Sequence, residues 1–91
     1  MVWFVEGTTV MQLRVLLFAQ AREFAGVSEC PLALPAGGTV HEALGALVAA
    51  HPALAPLRAH LAVAVNGALA RPGDAVPDGA ELAVLPPVSG G

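Results

Sequence analysis

The last six residues, Pro86-Pro87-Val88-Ser89-Gly90-Gly91, join a stiff stem to a slim tip that ends in a carboxylate. Proline fixes φ and lacks a backbone donor, so Pro86 and Pro87 end a sheet strand and hold the remaining residues extended. Glycine has no Cβ, so Gly90 and Gly91 fit a slot that any larger residue would block. From Pro87 to Gly91 an extended chain reaches roughly 16 Å, enough to carry the carboxylate into a partner's buried site. A carboxylate is a poor electrophile. Adenylation converts it into a mixed anhydride with a good leaving group, and a sulfur nucleophile that displaces AMP leaves a thiocarboxylate. Proline and valine in the stem lower the entropy lost on insertion.

The other groups with chemical potential are weaker. His41, His51 and His60 are ten and nine residues apart, which is not the spacing of a helical metal clamp, and no metal site is expected. Cys30 is the single cysteine, so no intramolecular disulfide forms; next to Pro31 it reads as a small packing residue. The acidic residues are scattered, without a pair placed as acid and base. Gly37, Gly38, Gly67, Gly73 and Gly79 follow turn rules, not a phosphate-loop pattern. The fold is expected to have no active site of its own.

Ninety-one residues make one domain with a single modest core. The chain is 56% hydrophobic and 12% charged, far from a disordered composition. Four arginines, no lysine and a net charge of −3 leave no basic patch for phosphates, so no nucleic acid is expected as partner. No apolar run approaches the ~18 residues of a membrane span. Arg14 followed by Val15-Leu-Leu-Phe-Ala19 imitates a signal peptide, but its apolar core is about five residues where about 7–15 are usual. Glu6 also stands where positive charge belongs. A lone cysteine and no membrane segment fit the cytoplasm.

The scaffold that holds the tail is legible along the chain. Residues 1–10 show no clear pattern and read as an extension or alternative start, with Trp3 and Phe4 on a loosely attached arm. Gln12 to Gln20 reads as a strand alternating through Leu13, Val15 and Leu17; Leu16 and Phe18 on its other face predict a central strand. Ala21 to Ala25 is a helical turn stopped by Gly26. Leu32 to Leu34, between Pro31 and Pro35, suits an edge strand or a hairpin return. Thr39-Val-His-Glu42 is a capping box, and Val40, Leu44, Leu47 and Val48 form the apolar stripe of the main helix, which Pro52 ends. A turn-rich segment runs through Pro56 and Arg58. Leu61 to Val65 is a strand, and Asn66-Gly67 predicts a two-residue type I′ hairpin turn. After Pro72-Gly73 and Pro77-Asp78-Gly79 comes the last strand, Glu81 to Leu85. One helix across a mixed sheet of four to five strands is an α+β architecture, with a domain over 11–85 and a tail over 86–91.

These residues resemble a known family. Val15-Leu-Leu-Phe-Ala-Gln-Ala-Arg-Glu23, Val65-Asn66, Asp78-Gly79 and Leu85-Pro-Pro-Val-Ser-Gly-Gly91 are similar to the ubiquitin-like β-grasp sulfur carriers, above all the small subunits of molybdopterin synthase. The resemblance covers about residues 11–91. The family commonly has an acidic residue after Asp-Gly and a bulky aromatic before the two prolines; here Ala80 and Leu85 stand there. The resemblance implies a β-grasp fold and a Gly91 adenylated by an E1-like activating enzyme with ATP, then thiolated from a sulfur donor. It further implies transfer of that sulfur to cyclic pyranopterin monophosphate inside the large subunit of molybdopterin synthase. Two small and two large subunits would form a heterotetramer. Leu85, Pro86, Pro87, Val88, Ser89 and Gly90 would contact the partner, Leu85 together with exposed apolar residues of the sheet. The resemblance leaves two alternatives: a carrier for thiamine, cysteine or tRNA thiolation, and a ubiquitin-like protein modifier joined through Gly91. A β-grasp interaction module whose Gly-Gly end is accidental is the remaining reading.

Overall fold

A computed structural model describes residues 10–86 of the chain. Its elements are β1 (Val10–Leu17), α1 (Ala19–Ala25), β2 (Glu29–Pro35), α2 (Val40–Ala50), a 3-10 helix (Pro52–His60), β3 (Ala62–Val65), β4 (Ala68–Ala70) and β5 (Glu81–Leu85). The five strands form one sheet in the order β2-β1-β5-β3-β4. β1 and β5 run parallel; the other neighbours are antiparallel. This is the expected α+β, β-grasp architecture, and β5, the strand that leads to the tail, lies at its middle.

Alternation builds the sheet. Met11, Leu13, Val15 and Leu17 of β1, Leu32 and Leu34 of β2, and Leu82 and Val84 of β5 point to one side and are buried. α2 covers that side with Val40, Ala43 and Leu47, and the 3-10 helix adds the fully buried Leu54. α2 starts where the sequence places it. Thr39 Oγ1 accepts from the Glu42 amide at 3.2 Å, and the Glu42 carboxylate accepts from the Thr39 amide at 2.8 Å.

Several boundaries move. β1 begins at Val10, the last residue of the expected extension, and ends at Leu17, because Ala19 takes φ 49° and turns the chain into α1. β2 runs from Glu29 to Pro35 instead of Leu32 to Leu34. As an edge strand it accommodates Pro31 and Pro35 within its pairing to β1. The turn-rich segment is a nine-residue 3-10 helix with Pro56 inside it, packed on both α1 and α2.

Candidate functional site

The packing around the root of the tail serves to fix β5. Its Leu82 and Val84 are 2% and 1% exposed, and burying each such side chain contributes about 1.5–3 kcal/mol. Both edges of β5 are paired, Arg14 through Leu17 of β1 on one side and Ala62 through Val65 of β3 on the other. Beyond the ladder, the Phe18 amide donates to the Val84 carbonyl at 3.3 Å, tying the Phe-Ala turn of the sequence motif to the tail-bearing strand. The root of the tail is therefore held by hydrogen bonds on both sides.

Leu85 closes β5 opposite Ala62 and is half-buried; Pro86 comes next, half-buried and outside the ladder, as suits a residue without a backbone donor at the end of a strand paired on both sides. Of the expected site residues the structure places these two next to each other. Pro87, Val88, Ser89, Gly90 and Gly91, as well as Trp3 and Phe4, lie outside the described residues.

The outer face of the sheet, turned away from α2, carries an apolar row that sequence reasoning did not name. Leu16 pairs with Ala83, Ala83 with Ala64, and Ala64 with Leu69, across four strands. Residues directly opposite in a ladder project to the same side. Leu69 is 76% exposed at the end of this row. A signal for part of it was present: a two-residue Asn66-Gly67 loop sets Val65 against Ala68, hence Ala64 against Leu69.

Beside this row lies a charged cluster. Arg14 grips Glu29 with two hydrogen bonds, Nε at 2.7 Å and one terminal nitrogen at 2.9 Å, and Glu81 stands 3.7 Å from the guanidinium. The bond from Arg14 holds the Glu29 carboxyl below the usual glutamate range, and the same bond raises Arg14. Both side chains are about half exposed, so the pair orients the edge of the row more than it stabilises the fold.

Cys30 lines a shallow cavity of about 260 Å³ with Leu13, Arg14, Glu29 and Pro31. Burial, then the charge of Glu29, pushes its thiol up, the opposite of what a sulfur nucleophile needs. His41 and His60 are exposed, and His51 is half-buried at the end of α2. Among the described residues, no three His, Cys, Asp or Glu side chains are grouped to hold a metal. No described helix is long and apolar enough to cross a membrane.

Known proteins share this arrangement. The ThiS family matches residues 15–91. The molybdopterin synthase sulfur carrier subunit of Chlamydomonas reinhardtii is 43% identical over 83 residues, 89% of this chain and 100% of that protein. Its counterpart in Arabidopsis thaliana is 37% identical over 86 residues, 94% of this chain and 90% of that protein. The crystal structure of SAMP1, a small archaeal modifier protein from Haloferax volcanii, superposes with a TM-score of 0.79 at 40% identity, covering 88% of this chain and 99% of that one. With its β-grasp sheet and a family match that runs through the tail, the chain belongs to the ThiS family.

Proposed function

We propose that the chain is the sulfur carrier of molybdopterin synthase, with Gly91 as the carrying residue. The observation that carries this reading is the rooting of the Pro-Pro-Val-Ser-Gly-Gly segment in the central, doubly paired β5, in a chain 43% identical to such a subunit. An E1-like activating enzyme joins the Gly91 carboxylate to AMP with release of pyrophosphate from ATP. A sulfur donor then displaces AMP, and the C-terminal oxygen is replaced by sulfur. Inserted into the large subunit, in a heterotetramer of two small and two large subunits, the thiocarboxylate gives its sulfur to cyclic pyranopterin monophosphate. The apolar row Leu16, Ala83, Ala64 and Leu69, with Leu85 at its side, docks the partner, and Pro86 aims the tail. The setting is cytoplasmic, where activating enzyme and ATP are at hand.

Intact mass tests the carrier step. After incubation with an activating enzyme, ATP and a sulfur donor, the chain gains about 16 Da as sulfur replaces oxygen. An unchanged mass with every activating enzyme tried would sink this reading. Adding the large subunit and the pterin precursor then consumes the thiocarboxylate; persistence of the thiocarboxylate would assign the carrier to another sulfur pathway.

The likeness to SAMP1 favours a second reading, in which Gly91 is joined to lysines of target proteins. Covalent adducts of this chain with lysine-bearing proteins, formed with activating enzyme and ATP, would support it. The two readings share the adenylate and part at the nucleophile that attacks it.

A further inference from the structure

On the helical side of the sheet, away from the apolar row, a groove of about 420 Å³ opens between α2 and the 3-10 helix. Leu44, Leu61 and Pro72 give it an apolar lining, and His41 and Arg58 are the polar side chains that line it. No carboxylate lines the groove, and Arg58 has no salt-bridge partner among the described residues. The two nearest acids in sequence are already engaged, Glu42 in the capping box and Asp74 with the Arg71 amide at 2.9 Å.

Gly45 explains how the guanidinium lies there. A Cβ at this mid-helix position would stand 3.3 Å from an Arg58 terminal nitrogen and 3.6 Å from the other. Glycine inside a helix is unfavourable by propensity, and its presence lets Arg58 lie against α2 with its charge unmatched. We propose that this groove is a second docking site, which receives an acidic, aliphatic segment of a protein partner, the carboxylate on Arg58 and the aliphatic side chain on Leu44 and Leu61.

The backbone argues against a free phosphate as occupant. An anion at a helix start needs open amides. Here those of Thr39, Val40, His41 and Glu42 are spent on Glu42, the Asp74 carbonyl, the Pro72 carbonyl and Thr39 Oγ1. A phosphate would have the Arg58 and His41 side chains alone, whereas an acidic-aliphatic peptide also covers the apolar lining. The groove lies on the side of the sheet opposite the outer row, and the peptide test reads binding without any step of the sulfur chemistry.

The test is an NMR titration of the full-length, ¹⁵N-labelled chain with the capped peptide acetyl-Leu-Glu-Leu-amide and its Gln counterpart. Saturable shifts of the His41, Leu44 and Leu61 amides are expected, with the Gln peptide binding at least fivefold more weakly. Arg58→Gln should erase that difference and Arg58→Lys retain part of it. Because the two peptides are compared on the native chain, the result stands even if an Arg58 variant folds poorly. Equal affinity for both peptides, or no shifts in the groove, overturns the proposal. So does saturation by inorganic phosphate alone, or the same shifts on concentrating the chain without peptide, which would mark a second copy as the occupant.

Discussion

Asn66 and Glu81 exchange two hydrogen bonds: the Asn66 amide donates to the Glu81 carbonyl at 2.8 Å, and the Glu81 amide donates to Asn66 Oδ1 at 2.9 Å. The first extends the β3–β5 ladder by one residue; the second is a side chain acting as the next rung. One residue thus shapes the hairpin turn, at φ 49°, and anchors the strand that leads to the tail. Two substitutions separate these roles. Asn66→Gly keeps access to positive φ and loses the side-chain acceptor, which should cost about 0.5–1.5 kcal/mol. Asn66→Ala loses the acceptor and adds left-handed strain of about 1–2 kcal/mol. Urea denaturation should rank native, Gly, Ala in falling stability; equal loss in both variants would mean that the turn conformation carries no strain.

The apolar row gives a prediction of the opposite kind. Leu69 is 76% exposed, so Leu69→Glu should leave stability within about 0.5 kcal/mol. If the row docks the large subunit, the same change places a charge in the interface and should weaken that complex by about 1–2 kcal/mol or more, roughly tenfold. Calorimetric titration of the large subunit checks it, with unchanged thermal unfolding as the control.

Acid should act on the Arg14–Glu29 pair. The Glu29 carboxyl is lowered in the folded chain by its bond to Arg14, so whatever stability the pair supplies is present above the ordinary glutamate pKa. It is lost as pH falls through the lower, folded value. Carbon-13 titration of the carboxyl should show Glu29 protonating below the usual glutamate range, and Arg14→Gln should move it back up. Because both side chains are exposed, added salt should also narrow the difference.

Cys30 should prove dispensable for sulfur chemistry. Burial and the Glu29 charge keep its thiol protonated above the ordinary range, so thiol reagents should react more slowly with the folded chain than with the unfolded one at pH 8. Cys30→Ala should form the thiocarboxylate at the native rate. A large loss of rate with the fold intact would make Cys30 a sulfur relay and revise the proposed role of Gly91.

Features set by near neighbours in the chain were legible in the sequence, and features set by packing were not. The Asn66-Gly67 turn and the Thr39–Glu42 capping box are fixed within three residues, and both form as read. The alternation of β1 showed its buried face, but its end did not show, because Ala19 at positive φ is a choice imposed by packing and not by alanine's own preference. The 3-10 helix stayed hidden because Pro52 and Pro56 read as breakers, while it is held by tertiary packing: Leu54 is fully buried in the core and the helix packs against α1 and α2. The outer row is spread over four strands and depends on β5 inserting between β1 and β3, a pairing that no single segment encodes. The end of β5 at Leu85 was legible because two consecutive prolines cannot continue a strand that is paired on both sides, whereas the edge strand β2 admits Pro31.

Changing the length of the tail tests the proposed chemistry at its reacting atom. If Gly91 is activated through its carboxylate, then one residue appended after it moves the electrophile beyond the slot that two glycines fit. Under the proposed chemistry the added side chain also meets the clearance that Gly90 and Gly91 provide. An alanine appended after Gly91 should therefore abolish thiocarboxylate formation. The melting temperature should not change, since Val84 is the last buried residue among the described ones and Pro86 already stands outside the ladder. Removing Gly91 should do the same from the other side, shortening the reach by about 3.3 Å. Retained sulfur transfer by the lengthened chain would show that the carrier atom is not the C-terminal carboxylate, whatever the likeness of the rest of the molecule.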